Sequence, residues 1–76
     1  MDPITRDYAE ACRILDRKGH GTIRMKDGLV IKGGLSDIQS PLNDPDGIGY
    51  ISIDEGAKGL VSDVYADEFE ALLEVW

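Results

Sequence analysis

Cysteine, histidine, aromatic and basic residues are all scarce in this 76-residue chain, and each shortage removes a class of explanation. Cys12 is alone, so no intramolecular disulfide and no thiolate metal cluster can form. No apolar run approaches the length of a membrane span, so a soluble protein is expected. Cations are few: Lys and Arg number 8 against 15 Asp and Glu, for a formal net charge of −7. The deficit is uneven. Residues 1–28 are nearly balanced, whereas residues 29–76 hold only Lys32 and Lys58 against a run of acids. Phosphate binding depends on Lys and Arg displacing counterions, so such a chain is a poor general nucleic-acid binder. No phosphate loop, nucleophile elbow or dinucleotide fingerprint occurs.

Histidine and cysteine do not rescue a catalytic reading. His20 lies between two glycines at a turn, a surface position. Cys12 falls on an apolar helical stripe as a small buried hydrophobe, and a Cys12–His20 pair has no third residue to orient it. A non-enzymatic protein is expected. A lone thiol and no recognisable leader fit the cytoplasm. Seventy-six residues make one domain near the lower limit for a lone hydrophobic core, so self-association is a natural way to bury more surface.

What is present is strand pattern. Gly21 to Ile38 carries two alternating apolar runs around Asp27-Gly28, a dipeptide suited to the positive φ angles of a hairpin turn. Ile23 and Met25 share a face of the first run; Leu29, Ile31 and Leu35 repeat at even spacing in the second. Gly33-Gly34 interrupts that second strand, where missing side chains permit a bend or bulge. Before it, Tyr8, Cys12 and Leu15 form the stripe of a helix over about residues 6–18, capped by Thr5 or Asp7 and stopped by Gly19. Residues 40–47 are dense in turn formers. Gly49–Ile53 and Lys58–Tyr65 read as strands. Phe69, Leu72, Leu73 and Trp76 have helical spacing, but Leu73 and Val75 also alternate. A turn at Ala66–Phe69 followed by a closing strand is the preferred reading. The terminal Trp76 asks for a partner surface or a core groove and points to self-association.

The expected fold is therefore mainly β: an N-terminal helix, then a five-stranded, strongly bent open barrel over about residues 21–76. Met25-Lys26-Asp27-Gly28 and Ile31-Lys32-Gly33-Gly34-Leu35-Ser36-Asp37-Ile38 resemble the first motif of the Sm-like, SH3-like small barrels. With its acidic Asn43-Asp44-Pro45-Asp46 loop and its Val64-to-Phe69 ending, the chain is similar to small, uncharacterised Sm-like proteins of Gram-positive bacteria. The resemblance implies a helix stacked on an open barrel and homo-oligomers built by edge-strand pairing. In RNA-binding members an Asp and an Asn after the second strand contact bases, which implies Asp37 and Asn43 here. The later Arg-Gly pair of those members is replaced by Leu60-Val61-Ser62-Asp63, which removes the cation that supports stacked bases.

A calcium site is the alternative. Asp44 to Glu55 aligns with an EF-hand loop, with Asp44, Asp46 and Glu55 as carboxylate ligands, Gly49 at the sharp turn and Ile51 at the apolar position. Ile48 stands where a side-chain oxygen belongs. Residues 16–27 echo the register, with Lys18 and His20 at ligand positions. A simpler cation site made by Asp44, Asp46 and Asp54-Glu55 in a barrel loop, and a plain acidic turn, remain alongside.

Overall fold

In the computed structural model, residues 2–39, 49–56 and 60–76 are described. One helix precedes five strands: α1 (Tyr8–Lys18), β1 (His20–Met25), β2 (Val30–Gln39), β3 (Tyr50–Asp54), β4 (Val61–Tyr65) and β5 (Phe69–Val75). Among the described residues, no helix is long and apolar enough to cross a membrane.

The helix starts where the sequence says it should. Asp7 is the N-cap and its carboxylate accepts from the Ala9 amide at 3.3 Å. Gly19 closes the helix at φ 95°, donating its amide to the Leu15 carbonyl at 2.7 Å. Ala11, Cys12 and Leu15 point at the sheet and are buried. Tyr8 packs edge-on against Phe69 and donates its hydroxyl to the Gln39 carbonyl, which ties the helix to both β5 and β2.

The sheet is antiparallel throughout, in the order β4-β3-β2-β1-β5. The two halves of β2 serve different neighbours. Val30 to Gly34 pair with β1, and Gly34 to Gln39 pair with β3. Gly34 alone faces both, opposite His20 and Asp54, and marks the bend. Ser36 is the extra residue of a bulge between Leu35 and Asp37, which returns Ile38 to the core side. The glycine pair thus lies within a continuous strand. Ile23, Met25, Ile31, Ile51, Ile53, Val64, Phe69 and Leu72 form the core beneath α1. β4 and β5 end the sheet, and among the described residues no ladder joins them.

One sequence expectation needs correction. Leu29 belongs to the Asp27-Gly28 turn and is exposed, not a core residue. Within the stretch read as a strand from the sequence, Leu60 and Val61 are exposed and Val64 is the buried side chain of β4. The preferred reading of a turn followed by a strand is borne out: residues 66–68 turn and Phe69–Val75 form β5, so the helical spacing of Phe69, Leu72, Leu73 and Trp76 belongs to a strand. β5 carries two register shifts against β1, with Glu70 and Leu73 as the unmatched residues. Each bulge adds one residue to a period of two, so the apolar residues fall at intervals that mimic a helix.

Candidate functional site

Trp76, still 46% exposed, packs against His20. Their rings stack at 5.6 Å between centroids, and the Lys32 ammonium lies 5.2 Å from the Trp76 ring. Around them, Arg24 pairs with Glu70 at 2.7 Å, and Lys32 and Thr22 both reach Glu74. This outer face of β1, β2 and β5 is internally neutralised. Cys12 lies on the opposite side under α1. Burial pushes its thiol up from its usual value, against a smaller lowering by a hydrogen bond with Tyr8, which disfavours the nucleophilic thiolate.

The other end of the sheet is different. Asp37, Tyr50, Ser52, Asp54, Val61, Asp63 and Tyr65 share the outer face of the second half of β2, β3 and β4. Asp37 Oδ1 accepts from the Ile38 amide at 2.9 Å and Oδ2 from the Tyr50 hydroxyl at 3.0 Å. Ser52 Oγ donates to Asp63, and Asp54 accepts from the Gly56 amide. Tyr50 and Tyr65 meet edge to face at 6.2 Å. Among the described residues, no Lys or Arg lies on this face.

The Asp37 hydrogen bond, followed by the charge of Asp37, raises the Tyr50 hydroxyl above its ordinary value. With the folded value above the unfolded one, the bond's stabilisation is complete below the ordinary tyrosine range and is lost as pH rises through the folded value. Tyrosine NMR titration is expected to show Tyr50 ionising above the ordinary tyrosine range, and Asp37→Asn is expected to lower the Tyr50 midpoint. An unmoved midpoint would remove Asp37 as the cause.

Of the predicted ligands, Asp37 and Glu55 are among the described residues and line separate clefts. Asp37 lines a shallow cleft with Cys12, Arg13 and Asp16, and its carboxylate already holds β2 to Tyr50. Glu55 lines a separate open cleft with His20, Gly33 and Gly34, and accepts from Ser62 Oγ at 3.0 Å. Asn43, Asp44 and Asp46 lie outside the described residues. Among the described residues, no three His, Cys, Asp or Glu side chains cluster to hold a metal. Tyr50 to Asp54, which the EF-hand alignment places in the loop, are strand β3, and Val61–Tyr65 beyond them are strand rather than an exiting helix. In the weaker loop, Asp16 to Lys18 belong to α1 and His20 to Met25 to β1. The helical frame of an EF-hand is therefore absent from the described residues.

The two sheet edges differ most. At β5, the Ile4 amide donates to the Leu72 carbonyl at 2.8 Å, and the Leu72 amide donates to the Thr5 carbonyl at 2.9 Å. A strap of N-terminal chain thus occupies the middle of that edge. At β4, the Leu60 carbonyl accepts from Glu55 and the Ala66 amide donates to Gly49, so residues 60, 62, 64 and 66 face β3. By alternation, the amides of Val61, Asp63 and Tyr65 point away from the sheet. Among the described residues, nothing pairs with them. Val61 and Tyr65 are 56% and 43% exposed, and Leu60 beside them is 56% exposed. The sequence marked residues 58–65 as a strand but held no sign that it was an edge.

No protein-family model, curated protein or solved structure matches this chain.

Proposed function

We propose that this chain is a non-enzymatic binding module on an Sm-like small-barrel frame, and that it accepts an extended chain along β4. The helix leading into the sheet, the strand order and the glycine-bent β2 support the frame. The outer edge of β4, unpaired among the described residues, supports the mode of binding. An edge strand presents a row of amides and carbonyls that an added strand satisfies, and its side chains supply selectivity.

Self-association, expected from the sequence, faces an obstacle at each edge. Pairing at β5 requires displacement of the Ile4–Thr5 strap. Antiparallel pairing of β4 with β4 in the fully overlapped register sets Asp63 opposite Asp63 of the second copy, and like charges directly opposed destabilise a sheet. A different chain meets neither obstacle.

The test is amide exchange by NMR with a short peptide of alternating Val and Thr. Protection is expected at the outward amides of Val61, Asp63 and Tyr65. Val61→Pro is expected to abolish it, since proline removes an edge donor without touching the β3 ladder. Peptide-induced changes confined to other elements would sink the reading.

A further inference from the structure

We propose that the chain accepted along β4 is basic, an extended segment with Lys or Arg at alternate positions. The inference rests on the strand-addition reading and names the chemistry of the occupant.

The argument is charge complementarity at the open edge. Asp37, Asp54 and Asp63 are exposed on the outer face that the added strand would extend. Their hydrogen-bond donors are all uncharged: the Ile38 amide and Tyr50 hydroxyl, the Gly56 amide and the Ser52 hydroxyl. The ion pairs Arg24–Glu70 and Lys32–Glu74 lie at the β1–β5 end instead. The acidic charge beside β4 is thus satisfied by uncharged donors, and among the described residues no Lys or Arg is ion-paired with these carboxylates, Arg13 sharing only a cleft with Asp37.

Strand geometry turns that charge into a pattern. Val61, Asp63 and Tyr65 put their side chains on this face while their amides point to the incoming strand. Every second side chain of that strand stands on the same face, close to its cross-strand neighbour. A cation opposite Asp63 gains a charge-assisted hydrogen bond, and one opposite Tyr65 lies beside an exposed ring. An apolar stem or side chain covers Val61. A net charge of −7 on the whole chain further favours encounter with a basic partner. A second copy of this chain brings the same charge and the same Asp63, and is disfavoured for that reason.

The test uses three fluorescent peptides of equal length, alternating Val with Arg, Thr or Glu, titrated by polarisation at low salt. The Arg peptide is expected to bind wild type about tenfold tighter than the Thr peptide, with the Glu peptide weakest. Asp63→Lys is expected to erase or reverse that order while amide protection at Val61 and Tyr65 persists. Val61→Pro, and N-methylation of the peptide at alternate residues, are expected to abolish binding of all three. If Asp63→Lys leaves the Arg preference intact, the basic occupant is wrong although strand addition stands. If Val61→Pro and N-methylated peptides bind like the originals, strand addition itself is wrong. A concentration-dependent dimer lost in Val61→Pro would make the occupant a second copy and overturn the inference.

Discussion

Gly33→Ala is expected to destabilise the fold by about 2–3 kcal/mol, the upper range for forcing atoms into packed structure. A Cβ at Gly33 would overlap the Asp54 carbonyl oxygen and lie 2.8 Å from its carbon and 3.1 Å from Ile53 Cγ2. The obstruction is backbone, which cannot rotate aside as a side chain can, so β3 would have to lift from β2. At about 4–8 °C per kcal/mol for a domain of this size, the thermal midpoint should fall by roughly ten to twenty degrees. Gly34 provides the internal control. A Cβ there meets the His20 ring at 3.5 Å, an ordinary contact, and Gly34 has no positive φ. Gly34→Ala should leave the midpoint nearly unchanged or raise it slightly, through the lower entropy of its unfolded chain. Equal midpoints for the two variants in parallel calorimetric scans would refute the role assigned to Gly33.

Leu15→Ala is the second large effect. Leu15 is fully buried and fastens α1 to the sheet, so its truncation should cost about 2–5 kcal/mol. Domains of this length commonly hold only about 0.05–0.15 kcal/mol per residue, so the variant should be partly unfolded at ambient temperature or close to it. Gly21 supplies a sharper version of the test. A Cβ on Gly21 would collide with Leu15 Cδ2 and approach the Glu74 carbonyl at 3.1 Å. Gly21→Ala alone should therefore destabilise, yet in Leu15→Ala the same methyl enters vacated space. The double variant is expected to be more stable than the sum of the singles predicts, by about 0.5–3 kcal/mol of coupling. Additive urea midpoints would show that Leu15 and Gly21 do not share that space.

Most of the element order was legible because it rests on local signals. Asp7 and Gly19 bound the helix by capping, and Asp27-Gly28 turns the first hairpin with Gly28 at φ 93°. Ile23, Ile31, Ile51 and Val64 follow the alternation of half-buried strands and are all core residues. β5 was harder. Its bulges opposite β1 are defined by the pairing of two strands about fifty residues apart, so the segment alone carried both a helical and a strand pattern.

The candidate site was less legible still. Asp37 stood out in the sequence as a base contact, and the fold uses its carboxylate to hold Tyr50 and its own backbone. Glu55 stood out as a metal ligand and accepts from Ser62. Asp63, central to the binding surface proposed here, looked like one acid among many. Its setting depends on Ser52 opposite and on the lack, among the described residues, of a strand beyond it.

By itself, the sequence determined a mainly β chain with a leading helix, a bend at paired glycines and an acidic second half. Those properties follow from composition, period and turn chemistry, each encoded within a few neighbouring residues. Only the tertiary structure decided which edge stays open among the described residues. Ile4 and Thr5 close β5 through backbone hydrogen bonds to Leu72, and such bonds leave no mark on side-chain pattern. The acidic charge then becomes a surface beside β4 because strand pairing gathers Asp37, Asp54 and Asp63 from three separate segments onto one face.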